Sequence, residues 1–282
     1  MAWYPTLANN QGEESIELVT WQDGTDEQIT AIINGYYEGK ITLDQIKSVW
    51  TEGDYREISL AAINTSGTYN NNTWSVGESH SAKTVKVEIL DFDHDTLTTA
   101  QGSITKALLT VDLQECLRDT GRGDTDGANN TERGYINSSN DNSTGWTNCA
   151  RRKWCNGGFY QALPEYMRTL VKPVNKLTSA GSQSSTINTT SDYIFLPSEI
   201  EVFGSTTYSF SGEGTVYTYF NKGTSYRYKK PGWNSSYPSS SSWWERSPYS
   251  SSSTYFCFVG ADGSANRYSA SYTSGLAPAW CL

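Results

Sequence analysis

Three groups of residues in this 282-residue chain have the types and spacing to do chemistry. Asp91, Asp93, His94 and Asp95, in "DFDHD", open like a calcium loop, in which alternate carboxylates offer oxygens to a hard cation. Thr96 stands where such a loop turns on glycine and Gly102 where it closes on a bidentate glutamate, so a polar turn is the simpler expectation. Asp124, Asp126, Asn129 and Glu132 could gather oxygens in the same way, again against the plainer reading of a solvated loop. Glu199, Glu201 and Glu213 lie beside aromatic segments, as the carboxylates of a glycoside-cleaving site would, although helix capping and surface charge account for them more simply. Beside these three stand the two histidines, His80 and His94. They are too few for a multi-histidine zinc site, and no G-x-S-x-G supports a nucleophilic triad, so no cofactor is expected.

Five cysteines (Cys116, Cys149, Cys155, Cys257 and Cys281) show no C-x-x-C spacing. An odd, sparse set of this kind predicts small buried hydrophobes rather than a disulfide framework. The Arg-Gly-Asp triplet at 122–124 is short enough to arise by chance in a Gly/Asp-rich loop. The sequons at Asn64, Asn137 and Asn188 follow from the abundance of Asn, Ser and Thr, and with no leader peptide ahead of them they are expected to stay unmodified.

The C-terminal stretch, about 226 to 282, differs in kind. Tyr, Ser, Asn, Gly and Trp dominate it, the composition of a paratope: tyrosine gives contact area with few rotors to freeze, and the small residues adapt their hydrogen bonds. Tyr249, Tyr255, Tyr268 and Tyr272 recur among small residues, where a flexible linker would hold few rings.

These residues need a frame. "TDEQITAIINGYYEGK" opens with Thr25 and Gln28 in capping-box spacing, sets Ile29, Ile32, Ile33, Tyr36 and Tyr37 on one face, and stops at Gly39. Thr42 and Gln45 repeat the cap ahead of Leu43, Ile46 and Trp50, which predicts a helical hairpin. The period then changes to two: Ile58 and Leu60, then Val85, Val87 and Ile89, mark half-buried strands. Residues 119–145 read as a long polar loop. "WTNCARRKWCNGGFYQALPEYMRTLV" reads as two short helices, with Pro164 at a helix start and Leu163, Met167, Leu170 and Val171 on a buried stripe. "YIFLP", "TVYTYF" and "TYFCFV" return to strand patterning. A sheet begun before the helices and completed after them gives an α+β fold.

The balance of charge narrows the partners. A formal net charge of -9, with no dense Lys/Arg cluster, argues against nucleic acid. No apolar stretch approaches the roughly 20 residues of a membrane span, so no membrane insertion is expected. The first residues have neither a basic leader nor an apolar core, which predicts synthesis in the cytosol.

Several ordered segments, "NSSNDNSTGWTNCARRKWCNGGFYQALP", "VKPVNKLTSAGSQSSTINTTSDYIFLPSEIEVFGS", "WWERSPY" and "GLAPAWCL", resemble an uncharacterised domain family of phages and prophages of gut bacteria. The resemblance runs from about residue 48 to the end. It implies a C-type-lectin-like fold, similar to formylglycine-generating enzymes and to the variable proteins of diversity-generating retroelements. In those proteins a fixed aromatic and charged framework carries a C-terminal stretch that varies and binds a host-surface ligand. By that resemblance Trp243, Trp244, Glu245 and Arg246, with residues 275–282, are framework that packs the core and holds an internal ion pair. Tyr228, Trp233, Tyr249, Ser251, Ser252, Tyr255, Phe258, Arg267, Tyr268, Ser271 and Tyr272 are the implied contacts. The Glu-Pro-Asn, Gln-Pro-Asp and Trp-Asn-Asp signatures of calcium-dependent lectins do not occur, and Cys257 and Cys281 match no reactive-cysteine site of the enzymes, so the implied site is neither metal-bridged nor catalytic.

The resulting expectation is an N-terminal helical attachment segment (1–47) and a C-type-lectin-like ligand-binding domain (48–282). It would be a phage-encoded adhesin, displayed on a virion and made in the bacterial cytoplasm. Its partners would be a host-surface protein or glycan, other virion subunits and copies of itself. The alternatives are a virion decoration protein without its own ligand, or a glycan-degrading or protein-modifying enzyme on the same fold.

Overall fold

A computed structural model describes residues 15–63, 66–74, 82–117, 134–231 and 240–282. His80, the triplet at 122–124, Asp124, Asp126, Asn129, Glu132, Asn64 and Trp233 lie outside the described residues.

Both predicted capping boxes form. The Thr25 side chain accepts from the Gln28 N–H while Gln28 Oε1 accepts from the Thr25 N–H, which starts the helix Asp26–Tyr37; Thr42 and Gln45 start Leu43–Lys47 in the same way. Gly39 follows the first helix at φ +71, a left-handed turn that glycine adopts without penalty. The hairpin's apolar stripe is filled from within the chain. Ile29, Ile32, Ile33 and Ile46 are buried, and Trp21 meets Trp50 edge-on at 5.1 Å between centroids. Tyr37 reaches the last residue: its hydroxyl donates to the Leu282 carbonyl and accepts from the Leu108 N–H, both at 3.0 Å.

The fold is α+β, mostly sheet with short helices. Its main sheet has five antiparallel strands in the order Tyr55–Leu60, Lys83–Phe92, Leu109–Leu113, Ala279–Cys281 and Ile194–Phe195. The C-terminal strand is therefore internal to that sheet, paired on both sides. Tyr55–Leu60 shows the expected alternation, with Ile58 and Leu60 buried. Lys83–Phe92 is covered on both faces from Val87 onward, because Glu88, Leu90 and Asp91 are buried along with Val87 and Ile89. A second sheet holds Ser184–Asp192, Val174–Gly181, Thr96–Gln101 and Ile104–Lys106. Its long hairpin turns on Ser182 and Gln183, both at positive φ, and was not marked by the Ser/Thr/Asn-rich sequence that forms it.

Two expectations are corrected. "TVYTYF" is a short helix, Thr218–Asn221, because Asp91 Oδ2 accepts from the Thr218 N–H (2.9 Å) and hydroxyl (3.0 Å) and so caps it from a distant strand. The stretch after Cys149 is the helix Ala150–Trp154, a π-turn Cys155–Phe159 and a helical turn Tyr160–Ala162, followed by Glu165–Leu170 with Pro164 at its start. All five cysteines are buried thiols, as expected.

Candidate ligand-binding surface

A third sheet carries the paratope-like residues. Trp243–Pro248, Tyr255–Val259 and Ala265–Ser269 pair antiparallel, with Trp244 opposite Phe258, and Tyr255 opposite Ser269. The first strand is wholly buried. Trp244 donates to the Gly134 carbonyl at 2.7 Å and meets Phe258 edge-on; Trp243 donates to the Arg227 carbonyl at 3.0 Å. Each indole therefore buries its ring and satisfies its N–H.

Around this frame the rings form a chain. Tyr208 meets Tyr249 edge-on at 5.8 Å, Tyr249 meets Tyr255 at 6.3 Å, Tyr255 meets Tyr268 at 6.0 Å and 14°, and Tyr268 meets Tyr272 at 4.3 Å. The Arg267 guanidinium lies 4.5 Å over Tyr208 and 5.8 Å from the Tyr249 ring. A groove of about 460 Å³ is lined by Ser242, Tyr255, Phe258, Asn266, Arg267, Tyr268 and Tyr272. That volume falls in the range of small-ligand clefts, about 300–1,000 Å³. Tyr268 is 48% exposed and Tyr272 36%, high values for rings that touch each other.

Five implied contacts thus meet in one groove: Tyr255, Phe258, Arg267, Tyr268 and Tyr272. Phe258 is its floor, only 8% exposed. Tyr249 supports Tyr255 from beside it. Ser251 is exposed and Ser252 and Ser271 half-buried, and none of the three is among the lining residues. Tyr228 is exposed and packs against the turn at Gly263, where an added Cβ would lie 2.7 Å from its ring.

The serine run is less free than its composition suggests. Asn142, fully buried, donates from Nδ2 to the Ser252 and Tyr255 carbonyls, both at 2.7 Å, and accepts from the Ser182 N–H at Oδ1. The Asn142 N–H donates to the Ser253 carbonyl and the Ser250 N–H to the Tyr208 carbonyl. Sequence reasoning passed over Asn142 as part of a polar loop, and it passed over Tyr208, which carries Arg267.

Behind the groove the charges are arranged otherwise than expected. Glu245 and Arg246 do not pair. Arg246 pairs with Glu201, Nη1–Oε2 at 2.5 Å and Nη2–Oε1 at 2.8 Å, because adjacent strand residues point to opposite faces. Glu199, Glu201 and Glu213 are buried, not surface charges. Glu201 also closes the capping box of the helix Glu199–Phe203 through Ser198, as the capping expectation had it. Glu199 accepts from the Tyr208 and Ser209 N–H groups, and Glu213 from the Ser179 N–H and the Ser247 hydroxyl.

Neither carboxylate oxygen of Glu245 has a hydrogen-bond partner among the described residues. Burial, then the nearby Glu199 and Glu213, push its pKa well above the ordinary range. Burial likewise raises Glu213, and raises the Cys257 thiol well above its usual value with Glu199, Glu245 and Glu213 adding to the effect.

The carboxylates of the would-be calcium loop diverge. Asp91 caps a helix, Asp93 sits at φ +49, and Asp95 is buried against Lys176 (2.5 Å), the Tyr217 hydroxyl (2.9 Å) and the Thr110 hydroxyl. Burial alone would raise the pKa of Asp95, but Lys176 and His94 outweigh it and hold it well below the carboxylate range.

Residues 106–282 match a family model described as "Domain of unknown function (DUF6273)". The chain belongs to this family. The matched span, well over half the chain, contains the groove, its framework, Asn142 and the internal C-terminal strand. Comparison with curated proteins and with solved structures found no match.

Proposed function

We propose that the chain is a binding protein of C-type-lectin-like architecture, a phage-encoded adhesin displayed on the virion that holds a host-surface protein or glycan in the groove. The observation that carries this reading is the convergence of exposed tyrosines and one arginine on a buried, hydrogen-bonded frame. Rings held by their neighbours lose little entropy on binding, and the polar tips around them can orient a ligand. The frame is separable from the contacts: Trp243, Trp244 and the C-terminal strand are buried, whereas Tyr268 and Tyr272 are exposed, so contact residues can change while the core stays as it is. Display in many copies would turn weak single-site binding into avid adhesion.

The test is adsorption of the fluorescently labelled protein to a panel of gut-bacterial cells. Wild type should bind a subset, and Tyr268→Asp and Tyr272→Asp should lose that binding with unchanged melting temperature. Adsorption indifferent to both substitutions, or absent across the panel, overturns the reading.

A further inference from the structure

Arg267 is the one charged residue among those lining the groove, in a chain whose formal net charge is -9. Its guanidinium has no hydrogen-bond or ion-pair partner among the described residues; two tyrosine rings hold it instead. Stacking occupies the face of the guanidinium and leaves its edge, the N–H fork that matches a carboxylate, without an acceptor. Beside it Asn266 spends Oδ1 on the Arg267 backbone N–H, at 2.9 Å, which leaves its Nδ2 donors for a ligand. The groove therefore has donors in excess and calls for an acceptor-rich, anionic group. Along the same groove the Tyr268 and Tyr272 rings, 4.3 Å apart and inclined at 52°, offer apolar faces with hydroxyl tips. Such faces suit the C–H side of a pyranose. A volume of about 460 Å³ is that of a small-ligand cleft and has room for a short oligosaccharide.

We propose that the groove takes an acidic saccharide, a uronic or sialic acid unit whose ring lies on Tyr268 and Tyr272 and whose carboxylate is received by Arg267. The assignment rests on the binding-surface reading above and narrows it to one ligand chemistry.

The experiment is calorimetric titration of the full chain with two matched pairs of probes: 3′-sialyllactose against its methyl ester, and tri-galacturonate against its methyl ester. The neutral member of each pair lacks the carboxylate charge. In at least one pair the acidic member should bind about tenfold tighter or more, the scale of hydrogen bonds to a charged group. Arg267→Gln should erase that difference, and Arg267→Lys should restore part of it without the fork. Equal binding of acidic and neutral members, acidic binding unchanged in Arg267→Gln, no binding of either pair, or binding of hexaglutamate in their place would each overturn the acidic-saccharide assignment. If neutral sugars bind and Tyr268→Ala abolishes that binding, the groove remains a binding site and only the carboxylate preference falls. If Tyr268→Ala changes neither sugar binding nor cell adsorption, the groove itself is misassigned.

Discussion

Arg246 and Glu201 form a two-pronged ion pair in the protein interior, and every remaining donor of the guanidinium is also used, on Thr178 Oγ1 and the Leu177, Leu196 and Glu213 carbonyls. One side chain thereby ties the sheet behind the groove to the helix Glu199–Phe203 and to the strand Val174–Gly181. Arg246→Met should cost about 3–5 kcal/mol in urea unfolding, because Glu201 would be left buried with only Lys176 to neutralise it. Burial alone would raise the pKa of Glu201, but Arg246 and Lys176 outweigh it and the net shift is downward. Its stabilisation is thus full above the ordinary glutamate value of about 4.3 and is lost as pH falls through the lower folded value. Wild type should lose stability steeply below about pH 4, and an equally steep loss in Arg246→Met would refute this origin.

Glu245 has the opposite sign. Its folded pKa is raised, so its contribution is full below about pH 4.3 and is lost as pH rises toward the folded value. Replacing it with leucine removes a buried, unpartnered acid and should add about 1–3 kcal/mol at pH 8. The variant's stability should also decline less between pH 5 and 8 than that of wild type. Chemical denaturation at the two pH values decides the point, and a neutral or destabilising effect at pH 8 would show that Glu245 finds partners in solution.

What could be read in the sequence was local. The capping boxes at Thr25 and Thr42 are complete within four residues, so their geometry follows from spacing alone. The meeting of Tyr255 with Tyr268 and Arg267 follows from one hairpin, whose two strands bring residues about a dozen positions apart side by side. Long-range partners carried no such signal. The helix at Thr218 depends on a cap from Asp91, and without it the same residues pattern as a strand. Asn142 sits in a Ser/Asn run whose composition is that of a solvated loop, yet its amide is spent inside the protein. Adjacency misled once: Glu245 and Arg246 looked like a pair because they are neighbours, which in a strand is the reason they face apart.

The buried thiols give a direct check on packing. All five cysteines are inaccessible, and burial pushes the Cys149 thiol up to about 12. Since the thiolate is the reactive form, none should react with Ellman's reagent at pH 8 until denaturant is added, when five equivalents should appear together. Partial reaction in native buffer would mean that some part of this core opens readily.

Tyr37 joins the N-terminal hairpin to the strand that ends the chain. Tyr37→Phe removes a hydroxyl that both donates to Leu282 and accepts from Leu108, leaving two main-chain groups near the core without that partner. A loss of about 1–3 kcal/mol is expected in thermal or urea unfolding. A shortened chain starting at residue 48 should fare much worse, since it lacks Trp21, Ile29, Ile32, Ile33 and Ile46 of the core. A cooperative melt from that shorter chain would show that the hairpin is an appendage.

Asn142 acts on the groove without touching it, as a positioning residue. Its amide holds the carbonyls on either side of the Ser253–Thr254 turn, and through Ser182 it fixes the loop to the hairpin Val174–Asp192. Gly181 permits this closeness: at φ +87, an added Cβ would sit 1.9 Å from the Asn142 carbonyl oxygen. Asn142→Leu should take the side-chain partner from the Ser252 carbonyl and the Ser182 N–H, leave the Tyr255 carbonyl with the Tyr249 N–H alone, and lower stability by about 2–3 kcal/mol. Asn142→Asp keeps the shape but has no N–H to give, so it should do similar damage at neutral pH. The discriminating readout is ligand affinity at a temperature where each variant is fully folded. Tyr255 is held at its carbonyl by Asn142 and stacks on Tyr268, so affinity should fall together with stability. Variants that are destabilised yet bind as tightly as wild type would show that the turn does not set the geometry of the rings.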